Sequence, residues 1–388
     1  MTHSIPHTEQ PLPCTRTSWR LHTHRCGTQS TNSQTKHHLH HSRSPLVLKT
    51  MDEKPLLAVL SGKAVWPPPI WLMRQAGRYL PEYRALRAKA GSFWTMCMDP
   101  VMATEITLQP IRRFGFDGAI VFSDILTVPY ALGCDVTFTE GEGPSMAPVN
   151  STSGLAFDLK KLAPTYETLH RVRTQLSGEI ALIGFAGAPW TLATYMAAGR
   201  GGDEQRAAKL WGNRDAGGFG QLLDLLGDCV ARHLTAQLDA GADAVQIFDS
   251  WAGGLSAPEF TRWVIEPTKR IVESVRAAKP DAKIIGFPRA ATLAGYAQCA
   301  RETGVNAISL DSSAPMDWAA RELPPAAIQG NLDPVALLGG GDALRQATDS
   351  ILKSMRGKPF IFNLGHGVLP ETPLEHVAQL VAHVKGAA

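Results

Sequence analysis

The stretch ALIGFAGAPWTLATYM, residues 181–196, consists of an apolar run followed by a helical segment. Its first six residues lack polar alternation, which is typical of a strand buried on both faces of a helix-covered parallel sheet. Small residues come next, and Pro189 then ends the strand before a helix that carries Tyr195. This stretch predicts a strand that leads directly into a covering helix.

The same pattern recurs along the chain and predicts an α/β fold. The expected strands are 70–74, 118–124, 181–186, 244–249, 283–287, 307–311, 326–331 and 359–364. Helical patterns separate them, among them 219–240, 258–278, 291–303 and 342–355. Eight strand–helix units favour a single (β/α)₈ TIM barrel, with an open doubly wound sheet as the alternative. The long connection 127–155, with a glycine-rich turn at 141–144, predicts an extra hairpin after strand two.

Composition limits the function classes. No run of eighteen apolar residues appears, so no membrane span is expected. The net charge of +3 comes from residues 1–50, because 51–388 hold 32 basic and 34 acidic residues, a net charge of −2. A near-neutral body argues against nucleic-acid binding.

Residues 1–50 carry 8 of the 13 histidines and lack apolar periodicity, so we expect a disordered extension. It is interpreted as a mis-assigned start, since Met51 precedes Asp-Glu-Lys-Pro, or else as a targeting segment. The catalytic domain is then 51–388. A cytoplasmic location is expected, with an organelle as the alternative if 1–50 is a genuine transit peptide.

The six cysteines lie far apart, without a CxxC pair or any regular spacing. This pattern does not suggest a disulfide framework or a structural zinc site. The glycine-rich segment 184–188 matches neither GxGxxG nor the GxxxxGK[ST] loop, which argues against a nucleotide site. We therefore expect no metal and no cofactor.

In a barrel of this class the active site lies at the C-terminal ends of the strands, so polar residues directly after each apolar run are the candidates. They are Arg74, Arg78, Asp124, Tyr195, Asp249, Ser250, Asp311, Asn331, Asp333 and His366. A lone strand-end aspartate such as Asp124 is often only a helix cap, and that alternative stays open.

The densest signal is PPPIWLMRQAGRYLPEYR, residues 67–84, which continues to Arg87. Its four arginines, Arg74, Arg78, Arg84 and Arg87, place several permanently charged planar groups near one mouth, a combination suited to anionic oxygen ligands. For Arg84 and Arg87, pairing with Glu82 or exposure to solvent is an equal alternative.

MRQAGRYLPE at 73–82 and GFAGAPWT at 184–191 closely resemble the two signature segments of the uroporphyrinogen decarboxylase family. The likeness extends to FSDIL at 122–126, FDS at 248–250, GNLDP at 330–334 and LGHG at 364–367. The resemblance implies a TIM barrel, a homodimer, and conversion of uroporphyrinogen III to coproporphyrinogen III in porphyrin and heme biosynthesis without a cofactor. It assigns function to Arg74, Arg78, Arg87, Asp124, Tyr195, Ser250 and His366, with Phe248 lining the apolar floor.

The chemistry follows from the substrate that this resemblance implies. Loss of carbon dioxide from an acetate arm needs an electron sink, which a pyrrole protonated on a ring carbon provides without another cofactor. We expect the catalytic residues to be Asp124, which stabilises the cationic ring through the pyrrole N–H groups, Tyr195 and Arg74. Arg74 is the expected proton donor or donor-positioner, although an unperturbed guanidinium is a weak acid. His366 is better tuned for proton transfer but is interpreted as a carboxylate contact.

Two other readings remain. A corrinoid- or thiol-directed methyltransferase on the same fold would bind zinc through His and Cys, but no cysteine stands near His366 in a His-x-Cys arrangement. A tetrapyrrole carrier without catalytic activity would need the arginines but not Asp124.

Overall fold

The computed structural model describes residues 53–139, 143–323 and 325–387. The strands are β1 (Gly118–Ile120), β2 (Thr137–Thr139), β3 (Gly143–Ser145), β4 (Ala181–Gly187), β5 (Ala244–Asp249), β6 (Lys283–Pro288), β7 (Ala307–Ser309), β8 (Ala327–Leu332) and β9 (Phe360–Leu364). The predicted extension, 1–50, lies outside the described residues.

The described residues also form α-helices. They are α1 (Pro55–Leu60), α2 (Pro81–Ala90), α3 (Phe93–Met98), α4 (Pro100–Phe114), α5 (Thr127–Ala131), α6 (Ala163–Gln175), α7 (Pro189–Ala198), α8 (Arg206–Arg214), α9 (Ala216–Asp239), α10 (Ala257–Phe260), α11 (Glu266–Ala278), α12 (Leu293–Glu302), α13 (Met316–Glu322), α14 (Pro334–Gly339), α15 (Gly341–Met355) and α16 (Leu374–Lys385). A 3₁₀ turn, Leu159–Leu162, precedes α6, and a π turn, Thr261–Ile265, joins α10 to α11. The four helical patterns named from the sequence are confirmed. In the described part of the chain, no helix has the length and apolarity that crossing a membrane requires.

Seven strands form one curled parallel sheet in the order β1-β4-β5-β6-β7-β8-β9. Neighbouring strands pair residue by residue. Ile183 of β4 lies opposite Ala244 of β5, and Phe248 of β5 lies opposite Phe287 of β6. The strand–helix alternation and the curled sheet confirm the TIM barrel. Several strands are shorter than predicted, since β1 stops at Ile120 and β7 at Ser309.

The first predicted strand, 70–74, is wrong beyond Ile70. Ile70 forms a single parallel bridge with Phe362 of β9, and its carbonyl accepts the N–H of Asp117 at 2.9 Å. The segment therefore fills the gap between β9 and β1 without forming a regular strand.

In this segment, side-chain oxygens accept backbone N–H groups that would bind a neighbouring strand in a regular sheet. The N–H of Leu72 donates to Gln75 Oε1 at 3.0 Å, and the N–H of Met73 donates to Asn363 Oδ1 at 2.9 Å. At Arg74 the backbone enters the left-handed region with φ 58°, which ends the extended conformation.

The core has two layers. Outward-facing strand residues pack against the helices, whereas inward-facing residues fill the barrel interior together with Leu56, Val59 and Leu60 of α1. Alternate positions of the strands thus face the two layers, which explains why the strands are apolar at consecutive positions.

The predicted hairpin after strand two is confirmed. β2 and β3 pair antiparallel, with Thr137 opposite Ser145. The predicted turn at 141–144 lies largely outside the described residues, which omit 140–142.

Candidate active site

The C-terminal ends of the strands bring most of the predicted site residues to one mouth. Asp124 follows β1, Tyr195 lies on α7 after β4, Ser250 follows β5, and His366 follows β9. Arg74 comes from the irregular segment between β9 and β1.

Asp124 sits in the turn that begins α5. Its Oδ1 accepts a hydrogen bond from the N–H of Leu126 at 2.8 Å, so one oxygen does fulfil the capping alternative. Its Oδ2 has no hydrogen-bond partner in the described ranges. Burial raises the pKa of Asp124 to about 6, against the opposing influence of the Leu126 bond and the charge of Arg74. The carboxyl group therefore titrates close to neutral pH.

Arg74 lies close enough to this carboxylate for each charge to shift the other's pKa. Its side chain has solvent-accessible surface, yet enough protein surrounds it that desolvation lowers the pKa of the guanidinium. Asp124 and Tyr195 oppose the shift, whereas the positive charges of Arg289 and Arg78 add to it. The four other ionisable groups therefore lie close enough to Arg74 to shift its pKa.

The packing against Arg74 is tight on the β9 side. A Cβ atom at Gly367 would collide with the Arg74 side chain, so only glycine fits there. The neighbouring His366 is half-buried, and burial lowers its pKa to about 4, with the charges of Arg74 and Arg289 acting in the same direction. His366 is therefore neutral at pH 7.

Tyr195 is held against the end of β5. Its ring packs edge-on against Trp251 with centroids 6.2 Å apart. Burial raises the pKa of Tyr195, and the neighbouring Trp251 side chain partly offsets this. One turn earlier on α7, Thr191 Oγ1 donates to Asp249 Oδ1 at 2.5 Å, which holds the helix against the end of β5.

Aromatic rings form the floor of the mouth. Phe248 packs edge-on against Phe185 at 5.5 Å and against Phe287 at 6.0 Å between centroids. These three residues lie near the C-terminal ends of β4, β5 and β6, and Phe248 and Phe287 directly precede the segments that carry Ser250 and Arg289.

Two of the predicted arginines, Arg84 and Arg87, have contacts within their own loop and helices. Arg87 is half-buried on α2, stacks over Phe93 at 5.9 Å and acts against the burial that raises the pKa of Tyr83. Arg84 donates from Nη1 to the carbonyls of Arg78 and Tyr79, so it holds the loop backbone. Neither pairs with Glu82, which binds Arg113 instead.

Four other strand-end candidates have structural partners. Asp249 is buried and binds Thr191, and Asp333 caps α14 by accepting from the N–H of Val335. Asn331 donates to the carbonyls of Asp311 and Ala314. Asp311 accepts bonds from the N–H of Ala290, the Tyr296 hydroxyl, and both the N–H and hydroxyl of Ser313.

Sequence reasoning missed Arg289 and Trp251. Arg289 stands two residues after Phe287, just as Ser250 stands two residues after Phe248. Arg289 follows the fifth apolar run, 283–287, so the positional rule that indicated the other candidates applies to it as well. Trp251 carries no sequence signal beyond its place next to Ser250.

No group of three or more His, Cys, Asp or Glu side chains that could hold a metal ion is present among the residues described. The prediction that no metal is needed stays a prediction.

A family model described as uroporphyrinogen decarboxylase (URO-D) matches residues 51–387. The chain belongs to this family. The uroporphyrinogen decarboxylase of Chelativorans sp. (strain BNC1) is 52% identical over 339 residues, which are 86% of this chain and 99% of that protein. That of Brucella anthropi is 51% identical over 341 residues, again 86% of this chain and 99% of the relative. These matches confirm the resemblance, and with it the enzyme class of a decarboxylase.

Solved structures support the fold at greater distance. A methyltransferase from Methanosarcina mazei superimposes with a TM-score of 0.71 at 20% identity, covering 85% of this chain and 97% of that one. A B12-independent methionine synthase from Shewanella sp. W3-18-1 gives a TM-score of 0.51 at 11% identity, covering 74% of this chain and 86% of the other. At these identities the likeness shows the barrel alone.

Proposed function

We propose that this family member decarboxylates the four acetate arms of uroporphyrinogen III to give coproporphyrinogen III, a step of porphyrin and heme biosynthesis. The observation that carries the proposal is the mouth itself, where Asp124 Oδ2 lacks a hydrogen-bond partner within the described structure and lies near arginines that lack an acidic partner there. Such a site suits a ligand with many carboxylates outside and N–H groups inside.

Arg74 and Arg78 would hold substrate carboxylates. No carboxylate oxygen lies within 4.0 Å of either guanidinium in the described part of the chain. A guanidinium can form two parallel hydrogen bonds with one carboxylate, which fixes the orientation of that carboxylate. Arg87, Ser250 and His366 would add further polar contacts, with Phe248 beneath the macrocycle.

Asp124 would stabilise the reacting ring. The pyrrole N–H groups can donate to its carboxylate, and this interaction strengthens as protonation of a ring carbon makes the pyrrole cationic. The bond from the acetate methylene carbon to its carboxylate then breaks, carbon dioxide leaves, and the electron pair passes into the ring. A proton is finally taken up at the methylene carbon, the ring proton is released, and a methyl group remains.

The proton donor is proposed to be Arg74, directly or by positioning a donor. Desolvation lowers the pKa of Arg74, which is the direction that an acid role requires. His366 is neutral at pH 7 because its pKa is lowered to about 4, and this supports its role as a carboxylate contact. Tyr195 would orient the departing acetate.

Further parts of the proposal concern the whole protein. We expect activity to need neither metal nor organic cofactor, so it should survive extensive chelation and dialysis. Recovery that depended on added zinc would contradict this. We propose that 51–388 is the catalytic domain, since the family model covers 51–387, and that it forms a homodimer in the cytoplasm. Sedimentation of the purified chain tests the dimer.

The decisive experiment is anaerobic incubation of uroporphyrinogen III with the enzyme, followed by counting the carboxyl groups on the product. We expect all four acetate arms to become methyl groups, with one carbon dioxide released for each. Binding without loss of any carboxyl group would indicate a carrier and would refute the proposal.

A further inference from the structure

Arg289 stands at the mouth directly after β6, beside Ser250 at the end of β5. The register pairs Phe248 with Phe287 and Asp249 with Pro288, so the next residues along, Ser250 and Arg289, are neighbours on adjacent strand ends. Arg289 Nη1 lies 3.4 Å from the Ser250 carbonyl oxygen. The guanidinium therefore reaches toward a residue that the proposed function places in contact with substrate.

The backbone around Arg289 is fixed on both sides. Its N–H donates to the carbonyls of Asp249 at 3.0 Å and Phe287 at 3.1 Å. The next residue, Ala290, has a left-handed backbone with φ 60°, and its N–H donates to Asp311 Oδ2 at 2.5 Å. A non-glycine residue in this region carries strain that the surroundings must hold in place. Asp311 thus fixes the turn that presents Arg289.

The charge of Arg289 is not neutralised within the described residues. No carboxylate oxygen lies within 4.0 Å of its guanidinium there, although the side chain is half-buried. Both carboxylate oxygens of the nearby Asp311 accept hydrogen bonds from other donors. The positive charge of Arg289 lowers the pKa of two basic groups, Arg74 and His366. Like charges held together cost free energy unless an anion lies between them.

We propose that Arg289 binds a carboxylate of the substrate, as a third guanidinium at the mouth beside Arg74 and Arg78. One N–H points to the Ser250 carbonyl, and the remaining N–H groups of the fork stay available for a carboxylate. The proposal rests on the proposed function and adds a residue that determines affinity for a polycarboxylate. It gives Arg289 no part in the chemical step.

The test compares Arg289→Ala, Arg289→Gln and Arg289→Lys in steady-state turnover of uroporphyrinogen. Arg289→Ala should raise KM about tenfold to hundredfold, as expected for loss of one charge-assisted contact, and leave kcat within about threefold. Arg289→Gln, which can still donate to the Ser250 carbonyl, should show the same rise because the charge is gone. Arg289→Lys should recover most of the affinity. KM of Arg289→Ala should also depend less on salt concentration than that of wild type.

Arg321→Ala is the matched control, because Arg321 is exposed on α13 and pairs with Asp317. It should leave KM unchanged, and thermal unfolding should show that every variant is folded. Wild-type KM in Arg289→Ala, or equal KM defects in the Lys and Ala variants, would overturn the assignment. If wild type itself released no carbon dioxide from uroporphyrinogen, the proposed function would fail first, and that result is distinct from an active enzyme whose KM ignores Arg289.

Discussion

The two ends of the barrel use polar residues differently. At the N-terminal end, a polar residue directly before a strand binds the backbone of the neighbouring strand or, at Ile70, of the irregular segment that takes a strand's place. Asp117, before β1, accepts the N–H of Ile70 at 2.9 Å, and Asp243, before β5, accepts that of Leu182 at 2.7 Å. Asn306, before β7, does the same for β6. These side chains fasten one strand to the next.

The charges at that end are also paired within the protein. Asp243 binds Lys54 at 2.6 Å and Arg173 at 2.9 Å, and Asp117 binds Lys385 at 2.8 Å. At the mouth, by contrast, Asp124 Oδ2 has no hydrogen-bond partner among the described residues, and Arg74, Arg78 and Arg289 have no acidic partner within 4.0 Å there. Charge at the N-terminal end therefore supports the fold, whereas the mouth keeps hydrogen-bonding groups that are available to a ligand.

The largest effect should come from Asp124→Asn, which keeps size but removes the charge that we propose stabilises the cationic ring. We expect turnover to fall by about 10²-fold or more, with a much smaller change in substrate affinity. Asp317→Asn, at an exposed carboxylate, is the control and should keep wild-type turnover. Normal turnover by Asp124→Asn would remove Asp124 from the mechanism.

Arg78→Ala should act on binding instead. Loss of one carboxylate contact should weaken substrate affinity about tenfold to hundredfold, while kcat changes little because the charge acts on the ground state and the transition state alike. Steady-state kinetics and product-binding titrations measure both quantities. A fall in kcat with unchanged KM would show that Arg78 acts in the chemical step.

Asp243→Asn should separate stability from activity at the opposite end. The variant leaves Lys54 and Arg173 without their mostly buried counter-ion, and we expect the free energy of unfolding to fall by about 1–3 kcal/mol. Denaturant unfolding measures this loss. The folded fraction should retain wild-type kcat and KM, and a kinetic defect would mean that the two ends are not independent.

The smallest effect concerns Asp249, whose burial raises its pKa to about 7. The unfolded chain releases this proton near pH 4 and the folded chain near pH 7, so the contribution to stability is greatest in acid and declines as pH rises between these values. As the pH rises from 5 to 7, the free energy of unfolding should therefore fall less in Asp249→Asn than in wild type, by up to about 2 kcal/mol. Identical pH dependence in the two proteins would show that Asp249 has no raised pKa.

Most of the barrel could be predicted because strands buried on both faces are apolar at consecutive positions. The prediction failed at 70–74, where the apolar run is equally clear but the hydrogen-bond partners are the side chains of Gln75 and Asn363. Asn363 is distant in sequence, and no local pattern reveals that it replaces a strand.

The mouth residues were found by their position after each strand, and polar type alone could not separate ligand contacts from structural ones. Asp124 and Asp311 both follow strands, yet Asp311 is surrounded by donors from Ala290, Tyr296 and Ser313. Only the arrangement in space shows which carboxylate still has a free oxygen. Arg289 was missed as well, because the candidates named from the sequence include no residue after the fifth apolar run, 283–287.

The most direct test of the central claim is the pH dependence of kcat/KM for uroporphyrinogen in wild type and Asp124→Asn, measured from about pH 5 to about pH 8. Because burial raises the pKa of Asp124 to about 6, the wild-type value should fall as Asp124 takes up a proton below that pH. The variant should be slower throughout and should lack this acid limb, while titration of the substrate carboxylates affects both proteins equally. An Asp124→Asn enzyme with near wild-type rates and the same limb near pH 6 would contradict the claim that the ionised Asp124 stabilises the reaction.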